Sequence, residues 1–391
     1  MSEKNRNSFK YLISSQYFLY FGVLGVFLPY FNLYCYHIGF TGFQIGTLSA
    51  LRSITLVLFS LAWGILADRF QIRRPIYIVC NIISALIWIF YLLTENFLLM
   101  LVITAFYGMF YAPIISFLEA FSMDVLGKEK KSYGRLRMWG SISFILVVIS
   151  LGKLIDLFSV SLILGLILAG SLVQASISFK IPDIKIVEKS LLSSITKSLF
   201  TLRVIIFLFC AFLMLVSHGA YYGFFSIHLE NLGYSNAFIG IAWALASTAE
   251  IIVMINSGRI FKTFSPEKVL VFSFIAAALR WFILFFATSE ITILISQLFH
   301  AVTYGTFHMA SILYIDLLSP DKNKTLGQAV NNAATYGLGL MAGFFLSGYL
   351  YENIDTSFLF IISSLIALAA GVIFKGFHLL QYMKNGVHSK R

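Results

Sequence analysis

Ionisable side chains occur inside strongly apolar stretches of this sequence at only a few positions. They are Arg52, Glu119 and Arg137 in the first half, and His218, Glu250, Arg280, His300 and His308 in the second. An unpaired charge at the centre of a bilayer costs roughly 2.5–3.5 kcal/mol on insertion scales, so such residues normally face a partner, a ligand or water. The chemistry open to these side chains is ion pairing with a small solute and reversible binding of a proton.

Glu119 and Arg137 form the first group. The planar guanidinium of Arg137 suits a carboxylate or two neighbouring hydroxyls on a ligand, and we predict that Arg137 binds substrate. Glu119 could accept hydrogen bonds from substrate hydroxyls, or it could hold the guanidinium in place. The alternative for both residues is a salt bridge between two helices with only a structural role.

The second group is predicted to carry a proton. Burial and a nearby arginine have opposite effects on the proton affinity of a carboxylate, so a conformational change near Arg280 could load and unload Glu250. Histidine titrates near neutrality, so His300, His308 or His218 could share or replace that role. For each histidine the alternative is a hydrogen bond between helices with no change of protonation.

Polar residues in three later segments are spaced as on one face of a helix. At 100° per residue, the members of each set fall within an arc of ~80° or less. The sets are Gln297, His300, Tyr304, His308 and Ser311; Trp243, Ser247 and Glu250; and Gln328, Asn332, Thr335 and Gly339. We expect these faces to line one cavity, with Trp243 and Asn332 in contact with substrate.

Aromatic residues offer surfaces on which a substrate ring could stack. We predict Tyr30, Tyr222 and Phe144 as substrate contacts in addition to Trp243. Phenylalanine is abundant, at 40 residues, so most aromatic side chains must face lipid or the protein core.

These side chains must be positioned by helices that cross a membrane. The composition, 59% hydrophobic and 12% charged over 391 residues, leaves little room for a water-soluble domain. About twelve apolar runs approach the ~20 residues needed to span the ~30 Å hydrocarbon core. The sequence therefore predicts an all-α membrane protein with twelve transmembrane helices. Its net charge of +11 is spread over short loops, which favours contact with lipid headgroups over nucleic acid.

Basic residues are concentrated in alternate gaps between the apolar runs. All but four of the 28 Lys and Arg residues lie at the termini or in every second gap; the exceptions are Arg52, Arg137, Lys153 and Arg280. Because Lys- and Arg-rich loops stay cytoplasmic, we predict a cell (inner) membrane protein with both termini in the cytoplasm. Lys153 and Asp156, three residues apart, are expected to pair at the surface. Arg52 has no evident partner.

The chain repeats itself with an offset of 194 residues. The segment 39–46, GFTGFQIG, is echoed by the segment 233–240, GYSNAFIG. The repeat predicts two parallel six-helix bundles around a central cavity. The N-terminal bundle is expected at 1–180, a cytoplasmic linker at 181–199, and the C-terminal bundle with a cytoplasmic tail at 200–391.

The segment 64–74, GILADRFQIRR, resembles the signature of the major facilitator superfamily. The resemblance implies a gating role for Asp68, Arg69 and Arg73. These groups could pair at the cytoplasmic ends of helices in one conformation and separate in another. Parallel repeats with substrate held at their interface are described for this superfamily.

Other segments resemble particular groups within that superfamily. The segment 133–140, YGRLRMWG, is similar to the corresponding segment of lactose permease and of the phenylpropionate permease group. The segments 218–224, HGAYYGF, and 27–30, FLPY, also resemble the phenylpropionate permease group. The chain looks closest to this group, which implies proton-coupled uptake of a small aromatic acid.

The resemblance to lactose permease extends to single residues of the first half. Glu119 and Arg137, 18 residues apart, match the acid and the arginine that hold the sugar in that family. Phe144 stands where the family has a ring-stacking tryptophan. The resemblance therefore implies that these three residues contact substrate.

The second half matches lactose permease only in part. Arg280, His300 and Glu250 correspond in type to residues of that family. Thr303, however, stands in place of its proton-carrying glutamate, and Tyr336 replaces a lysine. The proton relay of lactose permease therefore cannot be transferred unchanged.

The preferred hypothesis is a proton-coupled symporter that imports a small organic solute, such as a phenylpropionate-like acid, by alternating access. No Walker-type nucleotide loop occurs, and the three cysteines are too far apart for a metal site. We expect no cofactor, with the proton gradient as energy source, and a monomer whose partners are solute, protons and lipid. The alternative is a proton-coupled sugar, glycoside or nucleoside symporter. An exporter and a membrane-embedded acyltransferase are less favoured.

Overall fold

The computed structural model describes residues 3–182 and 200–388. Within these ranges the chain is helical and contains no β-strand, as the sequence predicts. The predicted linker falls almost entirely at 183–199, outside the described residues.

Six helices form the first half. They are α1 (Glu3–His37), α2 (Gly42–Phe70), α3 (Arg73–Leu92), α4 (Phe97–Leu126), α5 (Tyr133–Leu157) and α6 (Leu162–Ser178). A short 3₁₀ turn, Gly127–Ser132, connects α4 to α5.

The second half also contains six helices, two of which are interrupted. The uninterrupted helices are α7 (Leu202–Asn231), α8 (Asn236–Thr263), α9 (Pro266–Phe286) and α12 (Thr356–His388). Helix α10 consists of Glu290–Leu298, the π-helical turn Ala301–Thr306 and Phe307–Leu318. Helix α11 consists of Lys324–Asn332, the π-helical turn Ala333–Gly339 and Leu340–Tyr351.

Length and composition identify the membrane-spanning helices. Within the described ranges, ten helices are long and apolar enough to cross a membrane. The remaining two are α6, which is apolar but shorter, and α10, which the π-helical turn divides. The prediction of twelve transmembrane helices is confirmed.

The sequence repeat corresponds to a repeated turn geometry. Gly39 follows α1 with φ of 86°, and Gly233 follows α7 with φ of 85°. This left-handed conformation is readily adopted only by glycine. Two residues further on, Thr41 and Ser235 each accept a backbone N–H three residues later at 3.3 Å. Helices α2 and α8 therefore begin with the same type of cap.

The helices group into two compact units. Unit 1 contains α1–α6 together with Leu229–Ala244, where α7 ends and α8 begins. Unit 2 contains the rest of α7 and α8 with α9–α12. In unit 1, α1 packs against α4, α5 and α6; in unit 2, α9 packs against α10 and α12.

Helices α7 and α11 approach each other closely in unit 2. A Cβ atom on Gly219 would lie 2.2 Å from the backbone carbon of Gly343, so both positions require the absence of a side chain. This contact fixes the part of α7 that carries the neighbouring residue His218.

Candidate functional site

Arg280 is the centre of a buried polar cluster in unit 2. Its side chain is fully buried. One terminal nitrogen, Nη1, donates hydrogen bonds to Nδ1 of His300 at 2.9 Å and to Oγ1 of Thr303 at 3.1 Å. The other, Nη2, donates to Oε1 of Gln297 at 3.2 Å. The ring of Tyr221 lies 4.3 Å from the guanidinium carbon, and its hydroxyl donates to the same Gln297 oxygen at 2.9 Å.

These contacts determine which nitrogen of His300 carries hydrogen. A guanidinium can only donate, so Nδ1 of His300 must be the acceptor, and the neutral ring carries its hydrogen on Nε2. Nε2 faces Oε2 of Glu250 at 3.6 Å, just beyond hydrogen-bond distance. Arg280, His300 and Glu250 therefore form a chain of contacts. A small movement of Glu250 would convert its contact with His300 into a hydrogen bond.

The polar face predicted for α10 is present. The rings of His300 and Tyr304 are nearly parallel, 11° apart with centroids at 5.2 Å, and those of Tyr304 and His308 are 9° apart at 6.3 Å. Nδ1 of His308 then shares a hydrogen bond of 2.6 Å with the hydroxyl of Tyr336 on α11. The predicted face thus extends the chain of contacts from α10 to α11.

Both π-helical turns lie at this cluster. One contains Thr303 and Tyr304, and the other contains Tyr336. A Cβ on Gly305 would lie 3.2 Å from Cγ of Glu250, so the glycine leaves room for the carboxylate side chain. Wider turns of this kind are rare in helices and frequent at functional sites. No pattern in the sequence predicts these two turns.

His218 is buried beside the cluster, and within the described part of the chain no hydrogen bond joins the two. Its Nδ1 lies 2.8 Å from the carbonyl oxygen of Met214, an acceptor, so this nitrogen carries the hydrogen. Its ring contacts the ring of Trp281 edge-on at 4.9 Å. Nε2 is buried and has no hydrogen-bond partner among the described residues.

Glu119 and Arg137 in unit 1 do not form the structural salt bridge considered above. Among the described residues, no ion pair within 4.0 Å joins them. The guanidinium of Arg137 instead lies 3.6 Å above the ring of Phe21. Glu119 is exposed and accepts a hydrogen bond of 3.5 Å from the hydroxyl of Tyr133. Their hydrogen-bonding groups are therefore not occupied by each other.

The predicted aromatic contacts differ in their surroundings. Tyr30 is fully buried, and its hydroxyl lies 3.1 Å from the carbonyl oxygen of Val148. Phe144 and Trp243 are also buried, whereas Tyr222 is half-buried, with its ring 6.2 Å from that of His300. Their contact with substrate stays a prediction.

On α11, Asn331 is buried, whereas Asn332, the predicted substrate contact, is not. Asn332 is exposed, whereas Asn331 is 1% exposed and accepts a hydrogen bond of 3.2 Å from Thr335. Nδ2 of Asn331 has no hydrogen-bond partner among the described residues. Both asparagines lie in the regular segment Lys324–Asn332, before the π-helical turn, and the contact of Asn332 with substrate stays a prediction.

The predicted gating residues lie at one end of unit 1. Arg73 pairs with Asp68 at 3.6 Å and with Asp124 on α4 at 3.2 Å. Arg69 is exposed, and its guanidinium lies 5.6 Å from the ring of Phe70. Asp124 lies outside the segment that carries the resemblance, so the sequence does not predict its part in this cluster.

Asp156 has a different role from the predicted surface pair with Lys153. Its carboxylate accepts the backbone N–H groups of Asn236 at 2.8 Å and Ala237 at 2.9 Å. It thus caps the N-terminus of α8 from the end of α5, within unit 1. A carboxylate at this position is favoured by the unpaired N–H groups and the helix dipole.

Replacing Asp156 by alanine is therefore expected to loosen the start of α8. Loss of a helix cap typically costs ~1 kcal/mol, which corresponds to an increase in local opening of about fivefold. Hydrogen exchange of the purified protein should show this increase at Asn236 and Ala237. Lys153→Ala, on the same helix, is the control and should leave exchange unchanged. Unaltered exchange in the Asp156 variant would contradict the capping role.

Comparisons with known proteins agree with this architecture. Residues 11–362 match the family described as the MFS_1 like family. The chain is 28% identical to the "Probable 3-phenylpropionic acid transporter" of Escherichia coli (strain K12), over 90% of this chain and 94% of that protein. It is 22% identical to the "Maltose permease" of Geobacillus stearothermophilus, over 86% of each.

A solved structure has the same fold. The nucleoside transporter NupG superposes with a TM-score of 0.85 at 17% identity, over 94% of this chain and 98% of that chain. A family match over most of the chain and relatives that are permeases lead to one conclusion. The protein belongs to the MFS_1 like family of the major facilitator superfamily and is a multi-pass secondary transporter, not an enzyme.

Proposed function

We propose that the protein is a proton-coupled symporter that imports a small aromatic carboxylate of the phenylpropionate type by alternating access. The observation that carries this proposal is the chain of contacts from Arg280 through His300 to Glu250. It joins a fixed cation, a titratable ring and a half-buried carboxylate within membrane-spanning helices. Chains of ionisable groups in such positions are typical of proton pathways.

Within this chain, Glu250 is the group that takes up the proton. Nδ1 of His300 already accepts a hydrogen bond from Arg280, so a second proton on the ring would have to displace the guanidinium. A proton on Glu250 leaves the bond between Arg280 and His300 intact. His300 would then respond to the charge of Glu250 through its Nε2–H group, which links protonation to the packing of α8, α9 and α10.

The solute is proposed to bind in unit 1 through Arg137. Its guanidinium rests on the face of Phe21, and no carboxylate among the described residues lies within 4.0 Å of it. Its N–H groups are therefore available for a ligand carboxylate. The printed name of the Escherichia coli relative supports an aromatic acid as that ligand.

The orientation in the membrane is also a proposal. The concentration of basic residues in alternate gaps supports a cell (inner) membrane location with both termini in the cytoplasm. In this orientation, the cluster of Arg73 with Asp68 and Asp124 lies on the cytoplasmic side. We propose that its ion pairs break and re-form during the transport cycle.

Uptake of radiolabelled 3-phenylpropionate into proteoliposomes tests the proposed function. An inward proton gradient should drive accumulation above the level in protein-free liposomes, and a protonophore should abolish the excess. Protein-free liposomes are the necessary control, because the neutral form of a weak acid crosses lipid unaided. Equal uptake with and without protein would contradict the proposal.

Similarity to a maltose permease favours a second candidate, a proton-coupled sugar, glycoside or nucleoside symporter. The exposed Glu119 could accept hydrogen bonds from the hydroxyls of such a solute. Competition distinguishes the two candidates in the same proteoliposomes. Inhibition of 3-phenylpropionate uptake by cinnamate but not by maltose or uridine supports the aromatic acid, and the reverse supports the second candidate.

A further inference from the structure

We infer that Arg52 is a second carboxylate-binding residue of this transporter, at the opposite end of an aromatic wall from Arg137. The inference rests on the proposed function, because it states where an aromatic acid would bind before or after it engages Arg137. Both arginines belong to unit 1. The sequence gives Arg52 no partner, and the proton pathway in unit 2 does not involve it.

Arg52 lies well inside the membrane-spanning helix α2. It is ten residues from the start of the helix at Gly42, or ~15 Å along the axis, which is too deep for a headgroup contact. The residue is half-buried, and its guanidinium carbon lies 4.0 Å above the ring of Phe27. Nε is buried without a hydrogen-bond partner, and no carboxylate among the described residues lies within 4.0 Å of the side chain.

A purely structural role does not account for this arrangement. The face of Phe27 attracts the cation, but it accepts none of the five N–H groups of a guanidinium in a normal hydrogen bond. A half-buried arginine at this depth without a carboxylate partner among the described residues is expected to serve a ligand or a water-filled passage. A ligand carboxylate can accept two parallel hydrogen bonds from the guanidinium and neutralise its charge.

A continuous row of five aromatic rings connects Arg52 to Arg137. In order, the rings are those of Phe27, Tyr107, Tyr111, Tyr20 and Phe21, with successive centroids 6.4, 4.9, 5.2 and 5.1 Å apart. All four separations are within the range of attractive ring contacts. We call this row the aromatic wall. Arg52 lies over its first ring at 4.0 Å and Arg137 over its last ring at 3.6 Å.

The burial of the aromatic wall indicates that it is fixed. Tyr20, Tyr107, Tyr111 and Phe27 are each at most 7% exposed, so these rings pack in the core. The two arginines at its ends are half-buried, and no carboxylate among the described residues lies within 4.0 Å of either guanidinium. A rigid wall with a cation at each end offers an aromatic acid two carboxylate positions at different depths.

The predicted topology sets the order in which an acid would reach the two arginines. The N-terminus of α2 lies on the outer side, whereas Arg137 is four residues, ~6 Å, from the cytoplasmic start of α5. An acid that enters from outside would therefore meet Arg52 first and Arg137 second. Transfer between two cations spares the carboxylate from crossing the interior without a partner.

Equilibrium binding to the purified full-length protein tests the inference. The probes are 3-phenylpropionate and its neutral amide, 3-phenylpropanamide, which differ only in the group that an arginine would recognise. The variants are Arg52→Gln, Arg137→Gln and the double substitution, with Lys153→Gln as a control for loss of one positive charge in unit 1. Arg52→Lys keeps the positive charge and is the control for loss of binding that is caused by misfolding alone.

The inference predicts that the wild type and the control prefer the acid to the amide by at least tenfold. Each single Gln variant should retain part of this preference, and the double variant should retain none. If Arg137→Gln alone removes the whole preference, or if Arg52→Gln leaves it at the wild-type value, the assignment of Arg52 is wrong while the proposed function stands. Equal loss of acid and amide binding in Arg52→Gln, with Arg52→Lys unaffected, would assign Arg52 to packing and likewise overturn the inference.

The same binding experiment gives a different result if the proposed function is wrong. A wild-type protein that binds neither probe, or binds both equally, would overturn the aromatic acid as substrate and the assignment of Arg52 together. Binding in detergent needs no proton gradient. The result therefore also separates the choice of ligand from the question of proton coupling.

Discussion

Replacing Glu250 by glutamine is expected to abolish proton-driven accumulation of solute and to leave exchange of solute across the membrane largely intact. The amide has nearly the size of the carboxylate and can still face Nε2 of His300, so the packing of α8 against α10 should survive. It cannot take up a proton at working pH. Net transport requires the empty carrier to release its proton and then change conformation. Exchange of solute does not require this step.

The measurement compares concentrative uptake with counterflow in proteoliposomes. Wild-type protein should perform both concentrative uptake and counterflow. Glu250→Gln should perform only counterflow, at a rate within a few-fold of the wild type. Glu290→Gln is the matched control, because Glu290 is an exposed carboxylate at the start of α10. Concentrative uptake that persists in Glu250→Gln would remove this residue from the proton pathway.

Replacing Arg137 by lysine is expected to weaken substrate binding by about tenfold to a hundredfold, although the positive charge is retained. A planar guanidinium can donate two parallel hydrogen bonds while it rests on the face of Phe21. An ammonium can do neither in the same geometry. Hydrogen bonds to charged groups contribute about 1.5–3 kcal/mol, and each 1.4 kcal/mol changes affinity tenfold.

Isothermal titration of the purified variant with 3-phenylpropionate measures this loss. Arg135→Lys is the control, since Arg135 is exposed two residues earlier on the same helix. Weak residual binding through Arg52 is consistent with the account. Wild-type affinity in Arg137→Lys would instead show that the guanidinium does not hold the ligand.

The sequence predicts those features of the fold that depend on local patterns. The apolar runs predict the helices, because each must bury its backbone polar groups within a single segment of about twenty residues. Gly39 and Gly233 predict equivalent turns, since both need a left-handed backbone that glycine adopts freely. The face of α10 that carries His300, Tyr304 and His308 also follows from a simple helical period.

Features that depend on contacts between distant segments could not be predicted. Asp156 caps α8 because the fold brings residues 80 apart together, whereas the sequence offers only the nearby Lys153 as a partner. Arg52 lies on Phe27 of another helix, and nothing local indicates that contact. The two π-helical turns depart from the regular period of 100° per residue, and nothing in the local sequence indicates where they form.

The sequence places Arg280, His300 and Glu250 in one predicted group from their types and from a resemblance, but it does not predict the contacts between them. Only the structure places His300 between the other two. Thr303 and Tyr336, where the resemblance to lactose permease fails, also contact the cluster as hydrogen-bonding partners of Arg280 and His308. Thr303 and Tyr336 therefore contribute neutral hydrogen-bonding groups to the cluster.

Infrared difference spectroscopy of the purified protein, with and without isotope-labelled 3-phenylpropionate, tests the central claim that Glu250 changes its protonation with substrate. We expect a carboxyl stretching band that appears or disappears when substrate binds, keeps its frequency when the isotope label of the substrate is changed, and is missing in Glu250→Gln. A wild-type difference spectrum without such a band, under conditions in which substrate binds, would show that Glu250 does not change its protonation with substrate.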